Sequence, residues 1–108
     1  MSSLDATFEA LADPTRRKVL GLLTQRELRA GEIAQRLKLA APATSKHLKV
    51  LRDSRLVEMG ADPEDARAKV YRLRRDGLRE ASGWLQGVER FWEEQLAGFK
   101  AHAERSRK

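Results

Sequence analysis

The sequence predicts a mainly α fold of about five helices with one β-hairpin wing, a winged helix-turn-helix in a single domain spanning residues 1–108. Three observations lead there. The stretch APATSKHLKVLRDSRLVE (41–58) opens beside a proline and sets Leu48 and Leu51 on one helical side, Lys46 and Lys49 on the other. Only about four residues, KLAA, separate that helix from a shorter one before it, the spacing of a helix-turn-helix. Directly behind it stand two strand-like segments, LVEMG and AKVYRL, around the turn-forming ADPED.

Each element has its own signal. In LDATFEALAD, Leu4, Phe8 and Leu11 recur at i, i+4, i+7, an apolar helical stripe. DPTRRKVLGLLTQ opens with Asp13 as N-cap and Pro14 at the first helical position, where a missing N–H is harmless; Val19, Leu20 and Leu23 form its inner face. AGEIAQRLK is a short third helix with Ile33 and Leu37 inside and Glu32 and Arg36 outside. The fourth, about 42–54, turns Thr44, Leu48 and Leu51 inward and Pro42, Ser45, Lys46 and Lys49 outward, with Arg52 on the flank. The hairpin covers about 56–73, with Val70, Tyr71 and Leu73 in its second strand. From about Asp76 to near residue 102 the chain reads as one long helix bearing Leu78, Leu85, Val88, Trp92, Leu96 and Phe99. Four of the six aromatics (Trp84, Phe91, Trp92 and Phe99) fall on it, an apolar face wide enough to pack on its own domain and leave surface that points to a partner subunit rather than to burial within one domain.

Composition narrows the function. Cysteine is absent, which excludes disulfides and thiolate metal sites. Two distant histidines and no Gly-rich phosphate loop leave no nucleophile–base pair, so no catalytic residue is nominated and an enzyme is not expected. Asp5 and Glu9 interrupt the place where a signal peptide needs an apolar run, and no stretch reaches membrane-spanning length; a cytoplasmic protein is expected. The net charge of +6 is unevenly spread. Basic residues outnumber acidic ones seven to two over 14–40, four to one over 41–55 and six to one over 66–79, whereas 57–65 holds four acids and no base. A concentrated central patch of this kind points to a polyanion partner.

FEALADPTRRKVLGLL, ELRAGEIAQRLKLAAPATSKHLKVLRDSRLVE and KVYRL closely resemble the ArsR/SmtB family of bacterial winged-helix repressors, and RFWEEQL resembles a branch of it lacking metal-site cysteines. The resemblance spans roughly residues 4 to 100. It implies a cytoplasmic bacterial homodimer pairing through its first and last helices, bound to an inverted-repeat operator in double-stranded DNA and repressing transcription. The implied dimer face is Leu4, Phe8, Leu11, Trp84, Val88, Phe91, Trp92, Leu96 and Phe99. A recognition helix reads base edges from its N-terminal residues, which places Pro42, Thr44, Ser45 and Lys46 at the DNA, with Lys49 and Arg52 on phosphates. The wing tip is acidic through Asp62, Glu64 and Asp65, so the wing grips phosphate from its returning strand, at Arg67 and Lys69. His47 is expected to pack within the domain, and Ala40 and Ala41 forgo a helix cap of roughly 1 kcal/mol.

Two other readings stay open: a metal-responsive repressor of the same fold, and a protein-interaction module that kept the fold without DNA binding. Family sensors take metal through cysteines on the third helix or Asp/His clusters on the last. Here ELRAGEI has Arg29 and Gly31 at the former positions, and the last helix offers only His102 with Glu104. No metal and no cofactor are therefore expected. The sequence does not name the operator, the regulated genes or the effector.

Overall fold

The computed structural model describes residues 2–106. Its elements run α1 (Ser3–Ala12), α2 (Pro14–Leu23), α3 (Ala30–Leu37), α4 (Ala41–Asp53), β1 (Val57–Ala61), β2 (Lys69–Leu73) and α5 (Arg75–Ser106). That is the winged helix-turn-helix of five helices and one hairpin that the sequence predicts.

The helix starts follow from local chemistry. Ser2 Oγ accepts from Asp5 N at 3.1 Å to open α1. Asp13 Oδ1 accepts from Thr15 N and Arg16 N at 2.8 and 3.1 Å, beside Pro14. Those two donors, Arg16 N first, hold the Asp13 carboxyl below its ordinary 3.8. At α3, Arg29 N donates to Glu32 Oε1 at 3.0 Å. α4 begins after Ala40 with no side-chain cap.

Two helix ends are less ordinary. α3 stops where Lys38 turns left-handed (φ 55°, ψ 49°), and Leu39 N reaches back to Ala34 O at 2.9 Å. α4 stops similarly: Arg55 has φ 59° and Leu56 N bonds Leu51 O at 3.0 Å. Glycine is usual at such positions because a Cβ there costs of the order of 1 kcal/mol. At Arg55 the surrounding core holds the turn, since Leu51, Leu56 and Val57 beside it are at most 1% exposed. Lys38 stands between Leu37, which packs against the core, and half-buried Leu39.

That core is one cluster drawn from α1 to β1: Ala10, Val19, Leu20, Leu23, Leu28, Ile33, Leu48, Leu51, Leu56 and Val57. The buried side chains of α2 are Val19, Leu20 and Leu23, the face its periodicity predicts. β1 and β2 pair antiparallel, from Val57 opposite Leu73 to Ala61 opposite Lys69. The sequence does not announce a third partner: Leu28 bridges to Tyr71, with N···O distances of 3.2 and 2.7 Å, and ties the α2–α3 connection to the wing.

α5 is longer than expected, beginning at Arg75 and running past residue 102 to Ser106. Its first turns lie on α1 and under the α4–β1 turn. Ala81 is buried, Phe8 and Trp84 meet edge to face with centroids 5.7 Å apart, and Gly77 N donates to Arg55 O at 3.0 Å. Glu80 accepts from Ser3 Oγ on α1 and from the Arg55 guanidinium. The rest of α5 projects away. The radius of gyration is 19.9 Å and the longest axis 73 Å, against about 13 Å for the radius of a compact chain this long.

Candidate nucleic-acid interface

α4 has one face committed to the core and one left open. Thr44, Leu48 and Leu51 are its buried residues. Pro42, Ser45, Lys46, Lys49 and Arg52 are exposed on the opposite side. With 3.6 residues per turn these five span an arc of roughly 120°. Among the described residues no side chain caps the N-terminus of the helix, which leaves the first-turn amides of Ala41 and Ala43 without a side-chain acceptor, Pro42 having no N–H. Small and cationic side chains over an open helix start suit phosphate and base edges.

One nominated residue is corrected. Thr44 is 2% exposed and its hydroxyl donates to Ala40 O at 3.0 Å. The inward direction of its Cβ outweighs its position early in the helix, and the hydroxyl is satisfied one turn back. Thr44 therefore supports the helix from inside and presents nothing to a ligand. Lys49 is exposed but lies 2.8 Å from Asp53 Oδ2, an i, i+4 pair on the same open face. His47 is half-buried on the flank, its Nδ1 3.5 Å from Arg16 Nη1. Arg16 itself closes the end of α1, donating through Nε to Ala10 O at 2.8 Å and through Nη2 to Glu9 O at 3.1 Å. Sequence reasoning places His47 within the domain and misses Arg16, whose partners precede it by six and seven residues across a helix break.

The wing carries the other nominated cations. Arg67 and Lys69 are exposed on the returning side of the hairpin. Among the described residues neither has a carboxylate partner within 4.0 Å. The tip acids are differently engaged. Asp62 Oδ1 accepts from Glu64 N at 2.9 Å, and Asp65 Oδ1 from Arg67 N at 3.0 Å, so both shape the turn. Asp62 Oδ2 also takes Arg29 Nε and Nη2 at 2.8 and 2.6 Å. The Glu64 amide, followed by the Arg29 guanidinium, holds the Asp62 carboxyl below 3.8, and Asp62 in turn raises Arg29. Neither Arg29 nor this pairing was foreseen, because the partners lie 33 residues apart.

The nominated dimer residues divide in two. Leu4, Phe8, Leu11 and Val88 are half-buried, whereas Trp84, Phe91, Trp92, Leu96 and Phe99 are exposed by 51 to 69%. On a helical wheel the α5 set lies within roughly 140°. Among the described residues no three His, Asp or Glu side chains gather as metal ligands, and no helix is long and apolar enough to cross a membrane.

Known proteins share this arrangement. Residues 13–59, from the α2 cap to the middle of β1, match the model for bacterial regulatory proteins of the arsR family. The HTH-type transcriptional regulator Rv2034 of Mycobacterium tuberculosis is 38% identical over 97 residues, covering 90% of this chain and 85% of that protein. The transcriptional repressor SdpR of Bacillus subtilis is 30% identical over 82 residues, 76% of this chain and 88% of the relative. An ArsR-like transcriptional regulator from Rhodococcus sp. RHA1 superposes with a TM-score of 0.77 at 30% identity, over 91% of this chain and 90% of that one. With its helix-turn-helix, wing and near full-length likeness to these regulators, the chain belongs to the ArsR family of bacterial transcriptional regulators.

Proposed function

We propose that the protein is a cytoplasmic, homodimeric, sequence-specific repressor that binds an inverted-repeat operator in double-stranded DNA. The observation that carries this is the open face of α4, where Pro42, Ser45 and Lys46 surround an uncapped helix start while Thr44, Leu48 and Leu51 fix the other side. α4 enters the major groove. Ser45 and Lys46 meet base edges, and Lys49 and Arg52 meet phosphates. Arg67 and Lys69 bring the wing to the backbone or the adjacent minor groove. Two copies pair through α1 and α5, the single chain carrying both the DNA-reading unit and its dimerisation helices. The exposed apolar length of α5 supports that pairing. Repression follows from occupying DNA that polymerase needs; the B. subtilis relative is named a transcriptional repressor.

The test is selection of bound duplexes from a random pool, followed by anisotropy titration of the enriched site against scrambled DNA at several salt concentrations. An enriched two-fold symmetric site, bound by two chains at least about a thousandfold tighter than scrambled sequence, is expected. A selection that enriches no sequence, with no binding at low salt, would leave the protein-interaction module as the better reading.

A further inference from the structure

We propose that Arg29 is a positioning residue for DNA binding: its ion pair with Asp62 latches the wing tip to the start of α3, and so holds Arg67 and Lys69 in place relative to α4. The proposal rests on the DNA-binding reading above and adds a residue that itself touches no DNA.

Arg29 stands on fixed ground. Its N–H is held by Glu32 Oε1 at 3.0 Å, and its neighbour Leu28, fully buried, is bonded in both directions to Tyr71. From there the guanidinium reaches the hairpin tip and sends two N–H donors to one oxygen of Asp62. The second oxygen is already holding Glu64 N. The Asp62 side chain is only 12% exposed, although Pro63, Glu64 and Asp65 beside it are open.

A surface ion pair adds little to global stability. A two-stranded hairpin, however, is marginal when left alone. The base of this wing is anchored by buried Val57 and Val70 and by the Leu28–Tyr71 bridge. Beyond Ala61 and Lys69 the tip is held by its own turn bonds and by Arg29. Without the latch the tip is free to swing, and an unpaired Asp62 joins Glu64 and Asp65 where phosphates approach. With it, one acid is neutralised and the two wing cations keep a fixed place.

Charge and latch predict opposite signs for one substitution. Asp62→Asn keeps an oxygen for the Glu64 amide and removes a negative charge. Electrostatics alone makes it bind DNA more tightly; loss of the latch makes it bind more weakly. The experiment compares wild type, Asp62→Asn and Arg29→Met on the selected duplex, and separately follows amide hydrogen exchange of the free proteins at Asp62, Asp65 and Ala68, whose N–H groups bond within the tip. Both variants should exchange faster at those amides and bind about tenfold more weakly, if the freed wing is in place about a tenth of the time. The salt slope should fall by up to about two phosphate contacts. Neutralising Arg67 and Lys69 together in Arg29→Met should then add little, whereas the same pair weakens wild type. Tighter binding by Asp62→Asn, or full additivity with the wing cations, overturns the proposal. Unchanged amide exchange in Arg29→Met refutes the latch whatever DNA does, and a wild type that binds no duplex refutes the DNA-binding reading itself.

Discussion

Trp92→Ala tests the proposed dimer most directly, because Trp92 has so little to do in its own chain. Within the protomer it meets Phe91 edge to face at 6.5 Å and is otherwise 59% exposed. A tryptophan side chain presents at most roughly 250 Å², so about 150 Å² of Trp92 is left for a partner to cover. At ~25 cal/mol per Å² that is about 3–4 kcal/mol per protomer, and the substitution removes it twice in each symmetric dimer. Partial cover and relaxation reduce the sum. Even half of it, about 3 kcal/mol, weakens association more than a hundredfold. The core lies in α1 to β1, with Trp92 outside it, so the variant monomer should keep its helices, while its melting temperature falls by what association contributes. Sedimentation velocity from nanomolar to micromolar concentration, with circular dichroism alongside, makes the measurement. A wild type that stays monomeric at micromolar concentration refutes the pairing. So does a Trp92→Ala protein that dimerises as tightly as wild type.

The remaining expectations address the DNA face, the α5 crossing and pH. Ser45→Ala and Lys46→Ala should each cost about 1–3 kcal/mol on the selected site and little on scrambled DNA, whereas Lys49→Ala and Arg52→Ala should weaken both alike and flatten the salt dependence, all read by anisotropy. Thr44→Val should leave affinity unchanged, since the side chain is buried; a tenfold loss would restore it to the interface. Gly77→Ala should destabilise, because its Cβ would stand 2.7 Å from Ser54 O and 3.0 Å from Arg55 O. A penalty of about 1–3 kcal/mol there outweighs a helix-propensity gain near 1 kcal/mol. Gly83→Ala, with nothing within 4 Å, should keep the gain, and urea melts of the two separate packing from propensity. Asp13, Glu32 and Asp62 are all held below their ordinary values, first by the amides of Arg16, Arg29 and Glu64. Depressed carboxylates stabilise fully above their unfolded values and lose that contribution as pH falls through the folded ones, so stability should decline below about pH 4. Asp13→Asn, which keeps an acceptor, should show a shallower decline in melts from pH 7 to 3.

What the sequence makes legible is what lies within one or two helical turns. The inner faces of α2 and α4 follow from i, i+3, i+4 spacing, and the start of α2 from Asp13 and Pro14, because those interactions close within a few residues. Left-handed Lys38 and Arg55 were not legible, because lysine and arginine carry no preference for that conformation. The Leu28–Tyr71 bridge joins residues far apart in the chain, so periodicity is silent about it. Thr44 shows two local rules in competition. Position near the helix start favours ligand contact and wheel angle favours burial, and burial prevails because a threonine hydroxyl can satisfy itself on the carbonyl four residues back.

Charge was the least transferable part of the sequence reading. Four acids in nine residues make the wing look repulsive to phosphate. In the folded chain Asp62 is bound to Arg29 and to an amide, Asp65 holds a second amide, and Glu58 pairs with Arg72 at 2.8 Å. Among the described residues, Glu64 alone of those four has no ion-pair or side-chain hydrogen-bond partner, while Arg67 and Lys69 stay open to solvent. The reverse holds on α4, where Lys49 shares its charge with Asp53. The wing of the folded protein is thus less hostile to phosphate, and α4 less cationic, than a count of their residues implies. A phosphate approaching this surface meets the charges that the fold has not already paired.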